Sequence, residues 1–75
     1  MVIYSAADVH IMGAFVQFGD YGVLIRCTLI ESIKIRHFPA EHTTDLTLRM
    51  TSGHKFRFTV RMADVLPIVE RLNGA

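Results

Sequence analysis

With 75 residues, the chain is long enough for one small domain over residues 1–75 and too short for two. Hydrophobic residues make up 51% of the chain and charged residues 20%, which excludes an intrinsically disordered protein. The formal net charge is only +1 at pH 7, so overall charge predicts no partner.

Small size creates a need for extra stabilisation. A domain of this length buries only about 60% of its unfolded surface. Small domains usually add a disulfide, a metal ion or a partner chain. Cys27 is the only cysteine, so an intrachain disulfide is excluded. We therefore expect a homo-oligomer, most simply a two-fold dimer.

The cellular location is predicted from the same cysteine and from hydropathy. A lone cysteine indicates a reducing compartment. Residues 1–12 lack the basic start of a secretion signal. No stretch approaches the roughly 18 apolar residues that span a bilayer. We expect a cytoplasmic protein without a membrane partner.

The N-terminal third predicts a helical turn and a strand. Residues 5–8 read Ser-Ala-Ala-Asp, a capping-box pattern that predicts one helical turn. In residues 10–18, both sets of alternating positions carry apolar side chains, which predicts one strand covered on both sides. Within it, Gly13 is interpreted as a bulge or a close backbone approach. Residues 19–22 predict a turn.

Two further strands are predicted before the middle of the chain. Residues 23–28 alternate in polarity and predict the second strand. The alternation breaks over residues 29–32, where we expect a tight or helical turn. A third strand follows and ends at Phe38, because Pro39 has no N–H to donate. Its side chains alternate between faces, with Ile33 and Ile35 inward and Lys34 and Arg36 outward.

The strongest pattern predicts a β-hairpin over residues 44–60. A three-residue loop at 51–53 pairs Leu48 with Phe56 and Leu46 with Phe58, so that both apolar sets share one face. It also places Gly53 at the left-handed position that such a loop requires.

A C-terminal helix follows directly. Its apolar stripe has the spacing i, i+3, i+4 and i+7: Val65, Ile68, Val69 and Leu72. Pro67 is tolerated only in a first turn, so we expect the helix to begin near Asp64. Asn73 and Gly74 form a stop signal. The fold class predicted is α+β, a small antiparallel β-meander of four or five strands capped by this helix.

In layout, residues 23–72 resemble small bacterial pleckstrin-homology-like modules and the FlbD-like flagellar family. The shared features are the apolar run 23–25, the pair Leu29 and Ile30, Ile33, a glycine-bearing hairpin and a final helix. This resemblance concerns the layout, and no function follows from it.

No catalytic or metal-binding pattern is present in the sequence. The four histidines lack a ligand spacing that brings three or four donors onto one ion: His10, His37, His42 and His54. Cys27 lies on the apolar phase of its strand, which favours a buried structural thiol over a nucleophile. We expect a non-enzymatic protein without a metal or another cofactor.

Basic side chains are concentrated in one part of the chain. Residues 1–33 carry a formal charge of −2 and residues 34–61 a charge of +4. In the predicted hairpin four of them share the outward face: Arg49, Lys55, Arg57 and Arg61. Like charges opposite each other are mildly destabilising, so their presence favours a surface for an anionic partner.

Three interpretations of this face stay open. An acidic protein is one partner class. Nucleic acid is the second, although no aromatic side chains interleave with the basic ones on this face to stack on bases, because Phe56 and Phe58 belong to the opposite face. In the third, the charges only solubilise an outer strand and protect its edge.

A second surface is predicted around the first strand. A small sheet with one helix covers only one face, so we expect an oligomer interface formed by Met12, Val16, Phe18 and Leu24. The alternative is a closed, barrel-like meander that buries this strand.

The function predicted is a protein–protein interaction or regulatory module, such as a bacterial or phage regulator or inhibitor of a larger complex. Nucleic-acid binding and a structural role in assembly are the alternatives.

Overall fold

A computed structural model describes residues 2–74, which form two antiparallel sheets and a C-terminal helix. The first sheet contains β1 (Val9–Met12), β2 (Phe15–Phe18) and β3 (Ile25–Arg26) in that order. The second contains β4 (Ile30–Phe38), β5 (Thr43–Met50) and β6 (Lys55–Arg61). The helix α1 spans Val65–Gly74. The predicted α+β class with its antiparallel strands and C-terminal helix is confirmed.

Residues 10–18 do not form one strand, so that prediction is wrong. The chain turns back at Gly13 and Ala14, and Met12 pairs with Phe15 in a β1–β2 hairpin. Gly13 has a φ of 60°, which suits the first position of a two-residue hairpin turn. What looked like a bulge in a long strand is therefore the tip of a hairpin between two short ones.

The second predicted strand is much shorter than residues 23–28. Of these residues, only Ile25 and Arg26 form a strand, β3, which pairs with β2, and a 3-10 turn follows over Cys27–Leu29. The turn expected at 29–32 therefore lies two residues earlier. A bulge between Ile30 and Ser32 then interrupts the pairing of β4 with β5. β4 ends at Phe38, before Pro39, as predicted.

The predicted hairpin is confirmed in position and in register. Leu48 pairs with Phe56, and Leu46 pairs with Phe58. The loop begins after Met50, whose N–H donates to the carbonyl of His54 at 2.8 Å. Gly53 has a φ of 90°, so the position predicted to need glycine does need it.

The predicted helical turn at the N-terminus is a 3-10 turn over Ala6–Asp8. The N–H of Ser5 donates to Asp8 Oδ2 at 2.9 Å. The same turn is hydrogen-bonded to the residue that precedes the C-terminal helix, because the N–H of Ala6 donates to Asp64 Oδ2 at 3.0 Å. The Arg71 guanidinium also donates to the carbonyl of Ala6.

The helix begins with a 3-10 turn over Met62–Asp64 and continues as α1. Its buried side chains are Ile68 and Leu72, which belong to the predicted stripe. Pro67 lies in the first turn, where its missing N–H costs no helical hydrogen bond. Within residues 2–74, no helix has the length and apolar character needed to cross a membrane.

The core lies between the two sheets and is centred on aromatic rings. Phe18 of β2 stacks on Phe58 of β6, with ring centroids 4.0 Å apart and planes 6° from parallel. Tyr4 packs edge-on against both rings, at 5.9 and 5.8 Å. Other fully buried side chains around them are Val16, Ile25, Leu46, Leu48, Val60 and Ile68. The two sheets therefore share one hydrophobic core.

We expect Phe18→Ala to lower the free energy of unfolding by about 3–5 kcal/mol, because it removes a fully buried ring from both sheets. Phe15→Ala is the matched control on the outward side of the same strand, where the ring is 37% exposed. It should cost about 1 kcal/mol or less. Denaturant unfolding followed by circular dichroism measures both. Equal losses would contradict the placement of Phe18 in a shared core.

Candidate functional site

The outward side of the second sheet carries the predicted basic residues. Arg49 lies opposite Lys55, and Thr47 lies opposite Arg57, as the hairpin register predicts. Arg61 lies opposite Thr43 at the far end of the same face. All four basic side chains are exposed. The structure thus brings the predicted set together on one side of β5 and β6.

Two more basic residues join this face from β4. Lys34 lies opposite Thr47, and Arg36 lies opposite Asp45, on the same side as the hairpin cations. Both are exposed. We refer to the six side chains together as the basic face: Lys34, Arg36, Arg49, Lys55, Arg57 and Arg61.

Sequence reasoning missed Lys34 and Arg36 as site residues, although the alternation around them predicted their outward direction. The missing information was the pairing partner. Once β4 is known to pair with β5, its outward residues must share a face with Arg49.

The basic face has a low centre and raised sides. Neighbouring strands lie about 4.8 Å apart, so the backbones at Lys34 and Arg57 are about 10 Å apart with Thr47 between them. Thr47 is half-buried and Thr43 is buried. Long basic side chains on β4 and β6 therefore flank a floor of short side chains along much of β5.

Few of these cations are neutralised. Arg49 Nε lies 3.8 Å from Glu31 Oε1, and Arg61 Nε lies 4.0 Å from Asp64 Oδ2. Exposed pairs of this kind contribute about 0–1 kcal/mol. The other four basic side chains have no ion-pair partner among residues 2–74.

The one carboxylate in the middle of the basic face is held by a neighbour. Asp45 is half-buried, and its Oδ1 accepts a hydrogen bond from Thr59 Oγ1 at 3.0 Å. Asp45 and Glu31 are the carboxylates that the three strands contribute here, against six cations. The three strands therefore contribute a surplus of four positive charges here, and Asp64 beside Arg61 lies outside them.

Aromatic side chains contribute little to the basic face. Phe56 and Phe58 point to the inner side of the sheet, as predicted. Phe38 lies on the outward side, but it is half-buried and the Arg36 guanidinium carbon sits 5.1 Å from its ring centre. The strands of this sheet thus offer no open aromatic platform on which bases could stack.

The four residues predicted to form an oligomer interface separate into two groups. Val16 and Phe18 are completely buried in the core of the single chain, because the hairpin turn at Gly13 directs them toward the second sheet. They cannot supply contact surface, and this part of the prediction is corrected. Met12 and Leu24 are 46% and 50% exposed. Their role in an interface stays a prediction.

The inward direction predicted for the β4 isoleucines agrees with the register, but their burial is incomplete. Ile35 pairs with the buried Leu46 and shares its face, yet it is 43% exposed. Ile33 is half-buried. The reason is that β4 is the edge strand of its sheet, so its inner side extends beyond the packed core.

Two of the histidines contact neighbouring side chains of the second sheet. His37 Nδ1 lies 2.8 Å from Thr44 Oγ1, a hydrogen bond across β4 and β5. The His54 ring packs against Phe56 with centroids 4.6 Å apart. Among residues 2–74, no three histidine, cysteine, aspartate or glutamate side chains come close enough together to hold a metal ion.

The Cys27 thiol is buried, with 7% of the residue exposed. Desolvation by this burial raises the pKa of Cys27. A backbone hydrogen bond lowers this pKa by a smaller amount, so the net direction is upward. The thiolate is the nucleophilic form, so a raised pKa lowers reactivity at neutral pH. This environment is typical of a structural thiol.

We expect Cys27 in the folded protein to react with an aromatic disulfide reagent about tenfold or more slowly than in denaturant, because burial limits both access and thiolate fraction. Thr28→Cys in a Cys27→Ser background is the control, since residue 28 is exposed. Its thiol should react fast in the folded protein. Fast modification of native Cys27 would contradict the assignment.

Comparison of the chain with protein-family models, with curated proteins and with solved structures finds no match. The functional assignment therefore depends on the chemistry of the basic face and of the exposed apolar residues.

Proposed function

We propose that this chain is a small non-enzymatic interaction or regulatory module that binds an acidic partner protein through the basic face. The observation that carries the proposal is the presence of six exposed cations from all three strands on one side of one sheet. Four of them have no ion-pair partner within residues 2–74. Such a surface attracts and orients a partner of opposite charge. The free thiol of Cys27 suits a cytoplasmic module.

A solubilising role alone explains this arrangement less well. Edge protection places charges on edge strands, whereas Arg49 lies on the central strand β5. Surfaces that serve only solubility usually mix both signs of charge. Here the two strand carboxylates are already engaged, Asp45 by Thr59 and Glu31 by Arg49.

An acidic protein fits this surface better than nucleic acid does. Single-stranded nucleic acid is bound by stacking bases on exposed aromatic rings as well as by cations. The outward aromatic ring here, Phe38, is partly buried and lies beneath Arg36. A sheet face on which basic side chains flank threonine side chains can instead pair with carboxylates spread over a protein surface.

The test is binding to polyglutamate, followed by fluorescence anisotropy as salt rises from about 0.05 to 0.3 M. We expect binding below about 100 µM at low salt, a range that simple electrostatic binding to a polyanion reaches. Arg57→Glu should weaken it about fivefold or more, because it replaces an attraction with a repulsion. Arg26→Glu is the matched control: it changes net charge equally, but from the other sheet.

The same titration with duplex DNA and single-stranded RNA separates the two partner classes. Tighter binding to either nucleic acid than to polyglutamate at matched salt would overturn the protein assignment in favour of nucleic acid. Two results would show that the basic face is not the binding site. One is an affinity that does not change with salt concentration, and the other is an equal loss of affinity in Arg26→Glu and Arg57→Glu.

A second candidate function is self-assembly, which the exposed apolar residues favour. Leu24 borders a shallow groove of about 330 Å³, whose apolar lining also includes Leu29, Met50 and Phe56. Met12 lies on the outward side of the first sheet, opposite Phe15. Apolar side chains with few charges are common at the centres of homodimer interfaces. The predicted homodimer would bury one or both of these regions.

Light scattering over a range of concentrations tests this. We expect a dimer mass for the native chain and a shift toward monomer for Leu24→Lys, because the interface would have to bury an ammonium group. Leu66→Lys is the control, on a helix residue that is 67% exposed. A monomer at every concentration would exclude self-assembly, and dissociation by Leu66→Lys alone would place the interface on the helix.

A further inference from the structure

The two edges of the second sheet differ. The edge at β6 is occupied at its C-terminal end by the N-terminal segment: the N–H of Tyr4 donates to the carbonyl of Thr59, and the N–H of Arg61 donates to the carbonyl of Tyr4, both at 2.9 Å. The edge at β4 has no backbone partner among residues 2–74. Beyond the bulge at Ile30 and Ser32, the free edge runs without a break to Phe38.

The two sides of β4 have different chemistry. Lys34 and Arg36 extend from its outward side and have no ion-pair partner among residues 2–74. On its inner side, Ile33 is half-buried and Ile35 is 43% exposed. A chain that lies along this edge would therefore meet cations on one side and apolar surface on the other.

An open groove extends the apolar side. It lies between the first half of β4 and the C-terminal half of α1 and has a volume of about 640 Å³. Its lining includes the apolar side chains of Ile30, Ile33, Val69 and Leu72, together with Glu31 and Glu70. Side chains of a strand added to β4 would point toward this groove at every second position.

We infer that β4 accepts an additional strand from the acidic partner, an extended segment in which acidic residues alternate with apolar ones. Strand addition satisfies the free N–H and C=O groups of the edge, and side-chain pockets on the two sides give selectivity. In such a segment the carboxylates face Lys34 and Arg36, and the apolar side chains lie beside Ile33 and Ile35. This inference rests on the proposed function, since it names the form in which the acidic partner binds.

A second copy of the chain fits this edge poorly. A two-fold antiparallel pairing centred on Lys34 places Lys34 of one copy against Lys34 of the other. A pairing centred on Ile35 places Lys34 of one copy against Arg36 of the other. Like charges directly opposite are destabilising. Pairing centred on Ile33 sets Ile35 against the carboxylate of Glu31. The charge pattern of β4 therefore favours an acidic strand over self-pairing.

The probe is a synthetic peptide in which glutamate and valine alternate. Its length of about eight residues lies within the usual range for a strand. A control peptide has proline in place of each valine, which keeps the charge but removes those N–H donors. We expect the first peptide to bind about tenfold or more tightly than the control, because only it can complete the ladder of hydrogen bonds. Hydrogen exchange at the β4 amides should slow when it binds.

Two double variants with equal charge change locate the peptide. Lys34→Glu with Arg36→Glu reverses the cations of β4, and Lys55→Glu with Arg57→Glu reverses those of β6. All four side chains are exposed, so both variants should fold, and circular dichroism verifies this. We expect the β4 variant to weaken binding about tenfold and the β6 variant about threefold or less.

The outcomes separate this inference from the proposed function. Equal binding of the two peptides, with equal effects of the two variants, would overturn strand addition and leave general binding of acidic protein to the basic face. Strand addition is also overturned if hydrogen exchange at the β4 amides does not slow when the peptide binds. If neither peptide binds while polyglutamate does, strand addition also fails. If none of the three acidic chains binds, both proposals fail.

Discussion

The contact between Phe18 and Phe58 is the interaction on which the rest of the structure depends. It joins β2 of one sheet to β6 of the other, with ring centroids 4.0 Å apart. A chain this short, with a single cysteine, must obtain its stability from packing of this kind. Because Phe58 is fixed inward, Arg57 is directed outward by the pleat of the strand. The buried aromatic cluster thus determines which side of the sheet is basic.

Local patterns predicted local structure well. The hairpin register followed from two apolar rows and from the backbone demand at Gly53, all within a short stretch of chain. The helix start followed from Pro67 in the same way. The hairpin at Gly13 was missed, because a glycine within an apolar run has the same local signal in a bulge as in a turn. Only the core that Val16 and Phe18 share with the second sheet separates these two alternatives.

The candidate site shows the same division. Four members of the basic face come from one hairpin, and their common side could be derived from its register alone. Lys34 and Arg36 were assigned the correct direction, but their membership depends on which strand lies beside β5. That pairing joins consecutive strands across residues 39–42, but polarity alternation within one strand does not specify its neighbour or the bulge between Ile30 and Ser32. The exposure of Ile35 is likewise a consequence of its place at the sheet edge.

The short parallel bridge from Tyr4 to β6 has a consequence for the number of chains that can join this sheet. A sheet with two open edges can extend in both directions, and repeated addition of identical chains leads to a fibre. With Tyr4 beside Val60, an added chain would find residues 32–38 of β4 free to pair but a shorter stretch, residues 55–58, at β6. Under the proposed strand addition, β4 would therefore be the preferred edge. Tyr4, whose ring also packs on the Phe18–Phe58 stack, thereby shortens the free edge of β6 as well as forming part of the core.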